Sequence, residues 1–239
     1  MRIAIVCDIH GNRTAFEAVL ADLRETAPDL ILHGGDLVHG GSDSAAIVDR
    51  IRDLGWPGVL GNTDEMLFRP QALHDFASQS SAPASLWEAV EEMAAVDRDR
   101  LGADRLAWLS ILPLRHTEDD VALVHASPES AWGSPSPEAT DAELDAVYRP
   151  LSRPVAVYGH VHRSFVRNLP GLVVVNAGSV SLSFDGDPRA SYLLLDGQKP
   201  VIRRVAYDVE KEIAAVEAAR LPHAEMIART LRKARPQMP

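Results

Sequence analysis

The sequence predicts an α/β fold, a largely parallel strand layer covered by helices, with a strand-rich later part that adds a second small sheet. Three observations predict it. Short continuous apolar runs alternate with helix-period segments over residues 2–60, the pattern of buried strands joined by helical crossovers. Further apolar runs crowd residues 120–207, with little helical sequence among them. No internal repeat, coiled-coil stretch or linker interrupts the chain, so residues 1–239 read as one domain.

Each element follows from local pattern. Residues 2–7 (RIAIVC) read as a buried strand, and residues 14–25 place Phe16, Val19, Leu20 and Leu23 on one helical stripe. The run 29–33 ends at Gly34-Gly35-Asp36, and residues 43–54 predict a helix with Ile47, Val48, Ile51 and Leu54 inward. Gly58-Val59-Leu60 fits another short strand. Residues 66–82, mixed and broken by Pro70, read as an ill-defined connection with room for one short helix. Ser85 and Glu88 form a capping-box pattern for a helix over 86–98, and a second helix is expected over 103–111 with Leu106, Trp108 and Leu109 partly buried. This helical insertion, around 66–112, would either pack on the sheet or wall a cleft. Strands are then expected at 120–125, 154–158, 172–175, 191–195 and 201–207, with a helix from Thr140 to Tyr148 after the first. The last two strands flank Asp196–Pro200 as an antiparallel hairpin. A C-terminal helical segment follows, around 209–235, interrupted at Leu221-Pro222.

Composition bounds the chemistry. With 24 Lys plus Arg against 34 Asp plus Glu, the net charge is -10, which disfavours an extensive nucleic-acid surface or an anionic membrane as partner. One Cys removes any intrachain disulfide framework or multi-Cys metal site, and Cys7 reads as a buried structural thiol. No stretch reaches the roughly 18–20 apolar residues of a membrane span. The first residues read as structural and not as a signal peptide, so the expectation is a cytoplasmic protein. The apolar faces of the C-terminal helices are compatible with a homo-oligomer and equally with packing inside one chain.

The informative feature is the recurrence of polar residues directly after apolar strands. Asp8-Ile9-His10 follows the first, Gly35-Asp36 the second and Gly61-Asn62-Thr63-Asp64 the third, while His125 ends a fourth and Gly159-His160-Val161-His162 follows a fifth. Loops beyond the carboxyl ends of parallel strands converge on the ligand crevice of α/β folds. Carboxylate and imidazole donors at such positions suit divalent Mn, Fe, Zn, Co or Ni. Asp36 is placed to bridge two of them.

These motifs, DxH, GD, GNxD, H and GHxH in this order, resemble the calcineurin-like metallophosphoesterase superfamily. Asn176–Val180 followed by Asp185–Tyr192 resembles the ending of its small bacterial and archaeal phosphodiesterases, so the resemblance covers about residues 1–207. It implies a four-layer sandwich with two central mixed β-sheets flanked by helices. It also implies two divalent metal ions, one among Asp8, His10, Asp36 and His162 and the other among Asp36, Asn62, His125 and His160. The implied activity is hydrolysis of a small phosphorylated substrate, a phosphodiester in first place, by metal-activated hydroxide. Asp36, Asn62 and His125 would then stand at the reacting centre. Phosphomonoester, phosphoprotein or dinucleoside-polyphosphate hydrolysis, and a metal-containing binding protein, are the alternatives.

One departure from the family pattern matters. Many relatives carry His where this chain has Thr63, and a threonine hydroxyl is no near-neutral proton reservoir. His39, three residues beyond Asp36, is the candidate to take over proton transfer or touch substrate. Asp64 would orient a ligand or cap a helix. Arg13 and Arg163 are candidate phosphate contacts, and the segments 42–45 and 127–137, with Trp132, are candidate substrate neighbours. Ser130 and Ser179 lack a Ser–His–Asp context, and no Walker loop or GxGxxG run is present.

Overall fold

The first strand, β1 (Arg2–Val6), separates two cores by simple alternation. Ile3 and Ile5, continued by Cys7, join Leu32, Val157, Val175 and Leu193 in a core between two sheets. Ala4 and Val6 point the other way and pack with Phe16, Val19 and Ile47 of the covering helices α1 (Arg13–Thr26) and α2 (Ser44–Leu54). The computed structural model describes residues 1–239.

Both sheets are mixed. In the first, β1 lies parallel to β2 (Leu30–His33) and antiparallel to β8 (Ala190–Asp196), and β9 (Lys199–Val205) closes the order β2-β1-β8-β9. Asp196 pairs with Lys199, so Gly197 and Gln198 form the tip of the expected hairpin. The second sheet has the order β3-β4-β5-β7-β6, built from β3 (Arg115–Glu118), β4 (Val121–Val124), β5 (Val155–Tyr158), β6 (Phe165–Leu169) and β7 (Leu172–Asn176). Its central strands β4, β5 and β7 run parallel. The outer face of this sheet packs Val124, Ala156 and Tyr158 against Leu144 and Tyr148 of α6 (Asp141–Tyr148), whose Thr140–Glu143 capping box forms as expected. Helices, sheet, sheet and helix thus make the four layers.

The helical middle section is more regular than its sequence suggests. Where an ill-defined connection was expected, α3 (Asn62–Phe68) and α4 (Pro70–Gln79) follow one another, with Pro70 at the first position of α4 where its missing N–H costs nothing. Segments 86–98 and 103–111 are the two limbs of α5 (Ala84–Ser110), bent at Gly102, where φ 68° and ψ 172° are non-helical. The Ser85 cap does not form, because the helix already starts at Ala84 after Pro83. The expected strand at 58–60 reduces to a single bridge between His33 and Gly58, since Leu60 donates its N–H to Pro113 O instead. Strands β3 and β6 were not expected; both lie at sheet edges and are partly exposed, β3 wholly polar and β6 mixed.

At the C-terminus, α7 (Val209–Ala218) and α8 (Ala224–Lys233) pack Ile213, Val216, Ile227 and Leu231 against Met93 of α5, which covers most of their apolar surface within the chain. No helix is long and apolar enough to cross a membrane.

Candidate metal centre

The carboxyl ends of β1 and β2 in one sheet and of β4 and β5 in the other meet at one edge of the sandwich, and the polar loops meet with them. Asp8 N donates to Gly35 O and His10 N to Asp36 O, which ties the first ligand loop to the second. Across the sheets, His160 N lies 3.2 Å from both oxygens of Asp8, and His125 Nδ1 donates to Gly34 O at 2.8 Å. Asp8, His10, Asp36, His39, His160 and His162 all have φ between 50° and 79°, the left-handed region that side chains avoid. The loop-to-loop bonds hold this strain and aim the side chains at a common point. Two glycines make the close approach feasible. A Cβ at Gly61 would lie 2.1 Å from Asp36 Oδ1, and one at Gly159 would lie 2.5 Å from Asp8 Oδ2.

Asp8, His10, Asp36 and His162 are all buried, and one donor atom from each lies within 4.8 Å of the others. His10 Nδ1 donates to His39 O at 2.9 Å and His162 Nδ1 to Leu182 O at 2.7 Å. In the neutral rings each Nε2 therefore carries the lone pair, and the two Nε2 atoms face each other at 3.1 Å. Asp36 Oδ2 lies 3.4 Å from His10 Nε2, and Asp8 Oδ1 lies 3.4 Å from His162 Nε2. Acceptors thus converge on one point with no donor between them. The neighbouring group is similar: Asn62 Oδ1 lies 2.9 Å from His125 Nε2 and 2.8 Å from His160 Nδ1, and Asp36 Oδ1 lies 3.4 Å from His125 Nε2.

The charge balance states the same requirement. Asp8 and Asp36 are 0% and 2% exposed, and no Lys or Arg pairs with either. Two buried carboxylates without a cation are costly. Their surroundings respond. Burial works to raise Asp36, but His125, His10 and His160 outweigh it and hold the carboxyl at about 2. Burial drives His10 down to about 4, and burial with the neighbouring His125 does the same to His160. For His125 and His162 burial also disfavours the charged ring, yet Asp36 and Asp8 respectively lead the attractions that raise both. The donor set fits divalent cations, and the chain has a clustered His/Asp metal-binding site.

The remaining residues sort clearly. Asp64 is fully buried and accepts backbone N–H groups from Asp36, Leu37, Val38 and Gly61 at 2.9–3.3 Å, so it clamps the Asp36 loop and makes no contact with the cleft. Burial and then Asp36 push its carboxyl up to about 7, against the pull of the Gly61 N–H. Thr63 lines the cleft, donates its backbone N–H to Asp36 Oδ1 and spends its hydroxyl on Val38 O at 3.0 Å. His39 also lines the cleft, with Nδ1 3.5 Å from Asp97 Oδ2; Ser44 Oγ donates to the other Asp97 oxygen at 2.7 Å. Arg13 and Arg163 are peripheral, paired with Asp43 and Glu138. Residues 42–45 and 127–137 do not line the cleft, and Trp132 donates to Glu65 while packing on Phe76. Asp97 and the segment 182–184 were missed by sequence reasoning. Asp97 opens the run Asp97-Arg98-Asp99-Arg100, and nothing in the sequence sets it apart from its charged neighbours.

A profile of the calcineurin-like phosphoesterase superfamily domain matches residues 1–199. An uncharacterized protein of Methanocaldococcus jannaschii is 30% identical over 92% of this chain and 93% of its own length. The symmetrical bis(5'-nucleosyl)-tetraphosphatase of Methylococcus capsulatus is 33% identical, over 62% of this chain and only 50% of that protein. Among solved structures, a metallophosphoesterase from Sphaerobacter thermophilus superposes with a TM-score of 0.78 at 26% identity, covering 98% of this chain and 100% of the other. A hypothetical protein from Pyrococcus horikoshii shares the fold with a TM-score of 0.83 at 17% identity, with 99% of each chain covered. Strand-end ligands, two mixed sheets and the domain match agree, and the chain belongs to the calcineurin-like phosphoesterase superfamily.

Proposed function

We propose that the chain is a dinuclear metal-dependent phosphoesterase that hydrolyses phosphodiesters. The observation that carries this reading is the pair of buried carboxylates, Asp8 and Asp36, ringed by imidazole lone pairs with no Lys or Arg to balance them. Asp8, His10, Asp36 and His162 would hold one divalent ion; Asp36, Asn62, His125 and His160 would hold the second, with one Asp36 oxygen toward each. Mn, Fe, Zn, Ni or Co suit these donors, and such ions supply a hydroxide at neutral pH and stabilise the charge that grows on phosphate during attack.

The chain's own residues do the rest. Carbonyls of His39, Leu182 and Gly34 fix the tautomers of His10, His162 and His125, so that each presents Nε2 to the centre. Thr63 N–H orients the Asp36 carboxylate. Because the Thr63 hydroxyl is committed to Val38 O, proton delivery to the departing alkoxide is assigned to His39, whose Nδ1 lies 3.5 Å from Asp97 Oδ2.

Symmetrical hydrolysis of bis(5'-nucleosyl) tetraphosphates is the second reading, favoured by the Methylococcus relative. The test compares bis(p-nitrophenyl) phosphate, p-nitrophenyl phosphate and diadenosine tetraphosphate with Mn and after chelation. Metal-dependent turnover fastest on the diester supports the proposal. Turnover confined to the tetraphosphate favours the second reading, and activity that survives complete chelation rejects both.

A further inference from the structure

The cleft beside the metal centre has two unlike sides. One carries the donors already described. The other is an apolar wall assembled from four separate parts of the chain around a cavity of about 310 Å³. Leu86, Val90 and Met93 share one stripe of α5 at helical spacing, ahead of the Gly102 bend. Met226 and Ile227 come from α8, and the tail residues Pro236 and Met238 complete the rim. Gly186 N–H on Ala234 O and an Arg229 guanidinium on Met238 O hold that tail in place. Leu182 and Phe184 join the two sides: Leu182 O receives the His162 Nδ1 proton, and Phe184 stacks on the His162 ring at 4.6 Å and 19°.

The lining also excludes ligands by what it lacks. No Lys or Arg lines the cleft, so the side chains offer no countercharge to a polyphosphate or a terminal phosphate dianion. Nor does the wall offer free polar groups to read a nucleobase. The Thr230 hydroxyl is spent on Met226 O, and the Gln237 amide binds Pro236 O and receives Lys233 Nζ. What remains is apolar surface with three methionines, Met93, Met226 and Met238, whose flexible thioethers adapt to varied shapes.

We propose that this wall seats a hydrophobic ester arm, so that the substrate class is a singly charged phosphodiester carrying an alkyl or acyl chain. The inference rests on the phosphodiesterase reading and narrows it. The phosphate lies over the donors, and the arm runs along the α5 stripe toward Met226, where its removal from water favours binding.

Two diesters with the same leaving group test it: p-nitrophenyl methyl phosphate and p-nitrophenyl hexyl phosphate. The wild-type protein with Mn is expected to show kcat/KM about tenfold or more higher for the hexyl diester, carried by KM. In Val90→Asp, and in Leu86→Asp as an independent variant, that ratio falls toward one. Equal kcat/KM for both diesters in the wild type, or an unchanged ratio in both variants, overturns the proposal. Faster turnover of diadenosine tetraphosphate than of either diester also overturns it. If neither diester is hydrolysed, the phosphodiesterase reading fails, and calorimetry judges the seat separately. Dihexyl phosphate binding about tenfold or more tighter than dimethyl phosphate, with the difference lost in Val90→Asp, upholds the seat; equal binding overturns it.

Discussion

Asp64 shows how a single side chain holds the centre together without touching it. Its two oxygens accept four backbone N–H groups, and an amide in its place would turn one oxygen into a donor facing donors. Asp64→Asn is therefore expected to cost about 2–4 kcal/mol, measured by urea unfolding of metal-free protein; a loss below about 0.5 kcal/mol would contradict the clamp. His39→Gln is expected to lower kcat about 100-fold or more on a diester with an alkyl leaving group and much less on a p-nitrophenyl ester, which needs little protonation. Equal losses on both would remove His39 from proton transfer. His33 is fully buried with neither ring nitrogen bonded, and burial, helped by His116, drives its pKa down to about 3. The unfolded imidazole titrates near 6.5, so the unfolded chain holds the extra proton between roughly pH 6.5 and 3. Stability of the metal-free protein should therefore fall as pH drops through that window, by up to about 1.4 kcal/mol per unit from this group. His33→Phe should flatten the slope between pH 6.5 and 5, and an unchanged slope would show that other groups carry it. The candidate ligand positions were legible at this scale because strand ends and glycines mark them. The left-handed backbone of six site residues was not: Asp and His tolerate positive φ better than most side chains, but here the tertiary bonds impose it.

Among the elements, α5 carries two tasks that its bend reconciles. Its first limb supplies the cleft wall and Asp97, and its second buries Leu109 in the main helical core. Gly102 has nothing within 4 Å of where a Cβ would stand, so its requirement for glycine is conformational and not one of space. Gly102→Ala is expected to destabilise by about 1–3 kcal/mol in denaturant unfolding, from the backbone alone. No change would mean that the limbs can straighten freely. The second limb was legible from its apolar residues and the first from a Ser85–Glu88 capping pattern that does not form; the hairpin and the capped α6 were legible as well. The edge strands β3 and β6 were not, because RHTE has no apolar residue and Arg167-Asn168 splits the apolar residues of FVRNL. The helices α3 and α4 were hidden by Pro70, which reads as a break and in fact opens the second of them.

Over the whole molecule, the net charge of -10 and the metal centre are parts of one arrangement. Many arginines are held in ion pairs away from the site, such as Arg13–Asp43, Arg163–Glu138 and Arg204–Asp185, while the site concentrates carboxylate and imidazole with no side-chain cation. On the proposed reading, bound metal would supply the positive charge that attracts phosphate. The candidate ligand positions were legible because each motif is a few consecutive residues. The cleft wall was not, because it is made only when segments 86–93, 182–184 and 226–238 converge in the fold. Asp36 is proposed to serve two ions, and elemental analysis of protein reconstituted with Mn and then desalted decides whether it does. Two ions per chain are expected in the wild type, and loss of both in Asp36→Asn with the fold retained by circular dichroism. A wild type that holds none, or an Asp36→Asn variant that keeps two, would contradict it.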